Sequence, residues 1–368
     1  VLVLGFSVAL ILPQGVIGVR PATQLPEVRL SDLQNVANAG SNPPAASAPT
    51  MAYDPADGYT VLFGGAENGN LNETWTFARG SWTDRSSSTS PPPSNAGNGL
   101  SMTYDPADGY VLLSEDSQTW SFHGGAWTNR TAAAGVHTGI GGGFIGFDPN
   151  LNATVLFGEN FSSFHSYTWL YQNGVWENAT RGSQPGFSSS ENLVWDSTTS
   201  QLDLIGCAST FAFENGSWTA LPQDGSTCIT GGVNVADDPV VGGLLAYGGS
   251  GGIDFGTGGP GVTWTYIDHT WASKNITPCP QIAGGGAGMA FDAGAREVIL
   301  FGGFGRTYSD QTWTFANDSW KNVTAPPFPP IGVNLAAVFE IVGGVVLVAV
   351  LIAGVAIRRP GATRRRRP

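Results

Sequence analysis

Residues 51–65 read MAYDPADGYTVLFGG and residues 73–82 read ETWTFARGSW. An apolar run ends at Tyr53-Asp54, and Asp54-Pro55-Ala56-Asp57-Gly58 follows as a turn, with Pro fixing φ and Gly accepting a positive φ. Tyr59 to Phe63 forms the next strand and closes on Gly64-Gly65. Thr74-Trp75-Thr76-Phe77 alternates as a third strand, Arg79-Gly80 reverses the chain, and Trp82 opens a fourth. A single sheet of this kind cannot cover its own two faces.

The unit recurs five more times. MTYDPADGYVLLSE (102–115) precedes QTWSFHGGAW (118–127), and IGFDPNLNATVLFGE (145–159) precedes YTWLYQNGVW (167–176). VWDSTTSQLDLIGC (194–207) precedes STFAFENGSW (209–218), and LLAYGG (244–249) precedes VTWTYIDHTW (262–271). MAFDAGAREVILFGG (289–303) precedes QTWTFANDSW (311–320). The inner aromatic is Trp75, Trp120, Trp169, Phe211, Trp264 or Trp313, and the outer one is Trp82, Trp127, Trp176, Trp218, Trp271 or Trp320. Their offset is seven in all six units, whereas the interval between units varies from 42 to 53. A fixed core with variable loops is the mark of stacked structural repeats. Six four-stranded antiparallel units around an axis predict an all-β, six-bladed β-propeller over residues 47–324, with the aromatics packed between neighbouring blades.

The double Gly after an apolar strand, followed by an aromatic strand and then a single Trp, resembles the Kelch repeat. The resemblance covers nearly all of the chain between its two ends and implies a Kelch-type propeller. Ser114-Glu115, Gly158-Glu159 and Gly206-Cys207 replace the double Gly in blades two to four, so loop geometry there is expected to differ. The pattern is closer to microbial, including archaeal, surface Kelch proteins than to cytosolic adaptors. Ring closure is open on sequence grounds: the end blades pack directly, or Glu27 to Leu33 (EVRLSDL, within the 23–46 linker) adds an outer strand.

Both ends carry membrane signals. Val1 to Leu12 is an apolar run broken at Pro13, which suits a signal-peptide segment over 1–22; a buried first strand is the other explanation. Ala337 to Ile357 is apolar except for Glu340 and spans 21 residues, roughly 31 Å as a helix, the thickness of a bilayer core. It follows a Pro-rich stalk (325–336) and precedes a basic tail (358–368) holding Arg358, Arg359 and Arg364 to Arg367. The positive-inside rule therefore predicts a single transmembrane helix in the cell membrane, tail in the cytoplasm and propeller outside. Before that tail the chain holds ten basic and 28 acidic residues, a net of about −18. Such a body repels phosphate backbones, so nucleic acid is not an expected partner.

Sequons and cysteines bear on the same compartment. N-x-S/T occurs at Asn72, Asn129, Asn152, Asn160, Asn178, Asn215, Asn275, Asn317 and Asn322, against a chance expectation of about three. The nine are candidate glycosylation sites; the other explanation is that Asn, Ser and Thr are turn residues. Cys207 and Cys228 are the preferred disulfide, with Cys228 and Cys279 the alternative, because all three fall in loops of one face.

Catalytic chemistry is not evident. Kinship with galactose oxidase would imply a copper site of two His and two Tyr. His123 and His269 fall in c–d turns, while His137 and His165 fall in d–a and b–c loops on the opposite face, and no pair stands at metal-ligand spacing. Sialidase boxes, phosphate loops and G-x-S-x-G elbows are also missing. No cofactor or metal is expected. Propeller ligands sit on the b–c/d–a face, where Phe161, Phe164, Phe255, Phe304, Arg306 and Tyr308 are placed in long loops as a candidate ligand face. The expected function is a non-catalytic binding or adhesion module for extracellular protein or glycan. An enzyme with a site in the channel and a structural envelope component are the alternatives.

Overall fold

The computed structural model describes residues 42–325 except 87–91, 93–99, 116, 136–141, 188–190, 207–208, 223–232, 249–260 and 283–285. The segments expected as leader, membrane helix and basic tail, the segment Glu27–Leu33, and all of the expected stalk but Ala325 fall outside these residues. Among the described residues no helix is long and apolar enough to cross a membrane.

Six separate four-stranded antiparallel sheets form, each in simple up-and-down order. Blade 1 consists of β1 (Thr50–Asp54), β2 (Tyr59–Phe63), β3 (Thr74–Ala78) and β4 (Ser81–Asp84), the strands a to d of the repeat. Blades 2 to 6 occupy 101–129, 142–178, 192–220, 233–274 and 287–322. The protein is a six-bladed β-propeller. Strand a of each blade lies beside strand a of the next, and blade 6 meets blade 1 the same way, so these strands form the inner ring. Each of the six apolar clusters draws on two neighbouring blades, and the cores sit between blades.

The repeat explains its own packing. Each outer aromatic lies against the strand-c aromatic of its own blade, with ring centroids 4.9 Å apart for Phe77–Trp82 and 5.0 Å for Phe122–Trp127. In blades 1, 2, 4 and 6 it also reaches the strand-b ring of the preceding blade, as in Phe63–Trp127 at 5.1 Å and Phe157–Trp218 at 5.2 Å. Edge-on pairs of this kind add about 0.5–1.5 kcal/mol each to what burial supplies. In four blades the indole N–H then donates to the threonine just before the inner aromatic of the preceding blade: Trp127 to Thr74, Trp176 to Thr119, Trp218 to Thr168 and Trp320 to Thr263. Thr-Trp, or Thr-Phe in blade 4, stands at that position in all six units.

The seam between blades 6 and 1 uses the same joint. Trp82 Nε1 donates to Thr312 Oγ1 at 2.8 Å and stacks edge-on against Phe301. No strand is exchanged among the described residues, which is the direct packing of end blades left open by the sequence. The chain just before β1 adds a stitch. Ala46 N donates to Ser309 O, Gly303 N donates to Ala46 O, and Ser47 and Ala66 exchange two backbone bonds. Two double glycines make room for it. A Cβ on Gly302 would lie 2.6 Å from Ala46 O, and one on Gly65 would lie 3.0 Å from Ala46 Cβ, both at positive φ. Asn42 completes the closure by pairing its side chain with Ala325 N and O.

The aspartate ending each strand a is buried in all six blades. Its Oδ1 accepts from backbone N–H groups of the a–b turn, as Asp54 does from Ala56 and Asp57, and Asp238 from Val240 and Val241. Asp54, Asp105, Asp148, Asp196, Asp238 and Asp292 are therefore turn-formers, and burial raises the pKa of Asp54, Asp105, Asp148 and Asp238. Two elements differ from the sequence reading. In blade 5 strand a is Val233–Asp238, an aromatic-free VNVADD run. In blade 3 the expected long b–c loop is a hairpin: strand b continues through Glu159 and Asn160, paired with Ser166 and His165. Glu159 stands where a positive-φ glycine would end the strand, so pairing continues.

Candidate functional site

The first residues of the six strands a surround a cavity of about 450 Å³ at the b–c/d–a end of the central channel. Three residues before each strand-a aspartate stand Met51, Met102, Ile145, Leu193, Val235 and Met289, an apolar collar that contains all three methionines of the chain. One residue further out, Thr50, Ser101, Asn192 and Asn234 supply polar groups, and Glu191 is the single acid of the lining among the described residues. Ser101 Oγ accepts from Ile145 N at 3.0 Å and ties blades 2 and 3 at the rim. The collar side chains are largely buried between the blades, and the polar groups of the rim supply hydrogen-bonding atoms suited to a ligand with hydroxyls.

Aromatic side chains extend from this mouth onto blade 3. Phe144 lines the cavity and stacks on Phe187 at 5.8 Å, and Phe187 meets Phe161 edge-on at 6.2 Å. Phe161 is 49% exposed and Phe164, at the hairpin tip with φ +56°, is 77% exposed. Asn160 Oδ1 accepts from Ser162 N and Ser163 N and so shapes that tip. On the opposite blade, Phe304 packs edge-on against Tyr308 at 5.1 Å, and Tyr308 and Arg306 line a second hollow of about 340 Å³ with Gln281 and Asp310. The expected face is thus two patches on opposed blades: Phe161 and Phe164 on blade 3, and Phe304, Arg306 and Tyr308 on blade 6. Phe255 lies outside the described residues. The missed feature is the rim itself: Asn192 and Asn234 carry no repeat signal and are marked only by their place before a strand-a aspartate.

Two acids have strongly raised pKa values, and neither is in the rim lining. Burial pushes Asp203 up to about 7, with Asp196 and Glu214 adding repulsion. Burial also pushes Asp237 up to about 6, opposed by the Ser197 N–H and hydroxyl that donate to its Oδ1.

The sequons acquire local explanations. Asn129, Asn178 and Asn322 end strand d and accept from the N–H two residues on, at Thr131, Thr180 and Thr324. Those threonines accept in turn from the N–H of Thr119, Thr168 and Thr312 at the start of strand c. Asp84 and Ser86 do the same work in blade 1 without being a sequon. Asn152, Asn215 and Asn317 hold left-handed turn positions with φ of 50°, 51° and 51°. Asn72 and Asn275 are exposed and make no such turn bond among those described. Cys207 and Cys228, and with them both candidate pairings, lie outside the described residues; Cys279 is half-buried. Of the histidines, His165 opens strand c at the blade 3 tip, His269 sits in a c–d turn at φ +61°, and His137 lies outside the described residues.

No family model matches the chain, and no curated protein matches it. Among solved structures it is similar to a gluconolactonase candidate, at 11% identity over 78% of this chain and 93% of that one, with a TM-score of 0.47. A gluconolactonase from Xanthomonas campestris is 11% identical over 76% and 86%, with a TM-score of 0.43. A GH74 xyloglucanase from Xanthomonas campestris is 16% identical over 76% and 45%, with a TM-score of 0.39. Likeness at that level says nothing of activity, and the class of the protein rests on its own six sheets.

Proposed function

We propose that the chain is a Kelch-type recognition module, held at the cell surface by its C-terminal apolar segment, that binds extracellular glycan or protein at the channel mouth without chemical turnover. The observation that carries this reading is the polar rim of Asn192, Asn234, Ser101 and Glu191 beside the exposed rings of Phe161 and Phe164. Amide and carboxylate groups hydrogen-bond to hydroxyls, and a flat aromatic face covers the C–H side of a sugar, so glycan is the favoured class. A hydrolytic site built like those of most glycosidases would need a second carboxylate facing Glu191, and the described lining supplies none.

The test is a glycan array and a surface-protein pull-down with the purified propeller, each repeated with Glu191→Gln and with Phe164→Ala. A ligand retained by the wild type and lost by both variants supports the reading. A ligand retained equally by both, or product released from it on incubation, rejects it.

A further inference from the structure

The opposite face, formed by a–b and c–d turns, carries a group of side chains that the fold itself does not use up. Asp54 and Asp57 come from the a–b turn of blade 1, and His123 ends strand c of blade 2. One ligand-capable atom from each lies within 4.8 Å of the other two. Asp54 is fully buried, and its Oδ1 is committed to the turn N–H groups of Ala56 and Asp57. Its Oδ2 is buried with no hydrogen-bond partner. An unpartnered buried carboxylate oxygen is costly, and native proteins rarely leave one without a cation or donor.

Blade 2 shows one way in which such an oxygen is satisfied. Asp105 Oδ2, the equivalent atom in blade 2, accepts from the Thr154 hydroxyl of blade 3 at 2.9 Å. Blade 2 places Val111 at the position of Thr154, and Val111 has no donor to offer Asp54. Blade 2 supplies His123 instead. Asp57 is held from outside the group: its Oδ2 accepts from the Tyr59 hydroxyl at 2.6 Å and from Gly124 N at 2.9 Å, which leaves Oδ1 available. Hydrogen bonds of this outer kind fix ligand orientation in metal sites.

We propose that Asp54 Oδ2, Asp57 Oδ1 and His123 form a binding site for one first-row divalent cation of the Zn²⁺ class, clipping blade 1 to blade 2. One imidazole with two carboxylates suits Zn²⁺ better than Ca²⁺ or Mg²⁺, which require six or more oxygen ligands. Exposed His123 leaves further coordination positions to water. The site is remote from the channel mouth and independent of the function proposed there. It also departs from the expectation, drawn from histidine spacing alone, that no metal is bound.

The experiment is a calorimetric titration of Zn²⁺ alone into the metal-stripped full chain, paired with thermal unfolding with and without Zn²⁺. One equivalent is expected to bind and to raise the unfolding temperature. His123→Ala and Asp57→Asn should each weaken that binding at least about tenfold and remove the temperature shift, while His165→Ala leaves both intact. His123 and Asp57 are outside the core, so these variants keep the fold. Absence of saturable binding in the wild type, or affinity unchanged in His123→Ala, overturns the proposal.

Discussion

Replacing Asp203 should make this protein more stable, and by an amount that depends on pH. Asp203 lies in strand b of blade 4, at the position held by Val61, Leu112, Val155, Leu245 and Ile299 in the other five blades, and it is 0% exposed like them. Both of its oxygens lack hydrogen-bond partners. Asp196, Glu214 and the Tyr266 hydroxyl surround it, and none brings a positive charge. The carboxyl is therefore held neutral, its pKa pushed from 3.8 up to about 7 by burial first and by its acidic neighbours second. The folded state grips that proton more tightly than the unfolded chain does. Its contribution is fully present below about pH 4, falls as pH rises through the interval from about 4 to 7, and is gone above it. Three units at about 1.4 kcal/mol each amount to about 4 kcal/mol.

Urea unfolding of wild type, Asp203→Leu and Asp203→Asn at pH 4, 6 and 8 isolates this term, because the other raised carboxylates titrate alike in all three and cancel. The stability gap between Asp203→Leu and wild type should widen by about 4 kcal/mol from pH 4 to pH 8, with Asp203→Asn, which keeps the size, showing most of the same trend. A gap independent of pH, or a leucine variant less stable at pH 8, would refute the reasoning.

Three further outcomes are expected. Trp82→Phe keeps a ring but loses the bond to Thr312, and should cost about 1–3 kcal/mol in unfolding free energy, the same as Trp127→Phe; a far larger loss at Trp82 alone would mean that the seam is a different joint. Gly302→Ala drives a Cβ to 2.6 Å from Ala46 O, whereas Gly58→Ala meets open space at a similar positive φ, so the first should lower the unfolding temperature well beyond the second. Asn178→Ala should cost about 1 kcal/mol even in protein made without glycans, because Asn178 Oδ1 accepts from Thr180 N; equal stability of the two unglycosylated proteins would deny that turn its role.

The repeat made the blades legible because every unit needs the same few things: a turn-forming aspartate, a strand end, and an indole that fills the gap to its neighbour. The Thr before each inner aromatic was visible too, yet its task was not, since its partner is the outer Trp of the next unit, 57 residues away for Thr119 and Trp176. Closure was illegible for a related reason. Residues 46–48 have no strand pattern and act through backbone atoms against Gly65 and Gly303, where sequence leaves little trace. Blade 3 departs from the repeat because Gly158 stands where the other strands b end, while Glu159 beside it carries strand pairing on to Asn160. The sequons show one signal with two causes: Asn129, Asn178 and Asn322 fit a glycosylation motif and also the strand-d ending that Asp84-Arg85-Ser86 achieves in blade 1. The Asp54–Asp57–His123 group leaves no spacing signal in the sequence, because the turns that meet belong to neighbouring blades.

Recognition at the channel mouth is tested most directly by measuring affinity for a captured ligand on both faces of the ring. A double variant, Phe161→Ala with Phe164→Ala, removes the exposed rings beside the mouth, and Ile267→Ser removes an exposed apolar side chain from the opposite face. Isothermal titration should show affinity at least about tenfold weaker in the double variant and unchanged in Ile267→Ser. The reverse pattern, or two equal affinities, would contradict the assignment of that face.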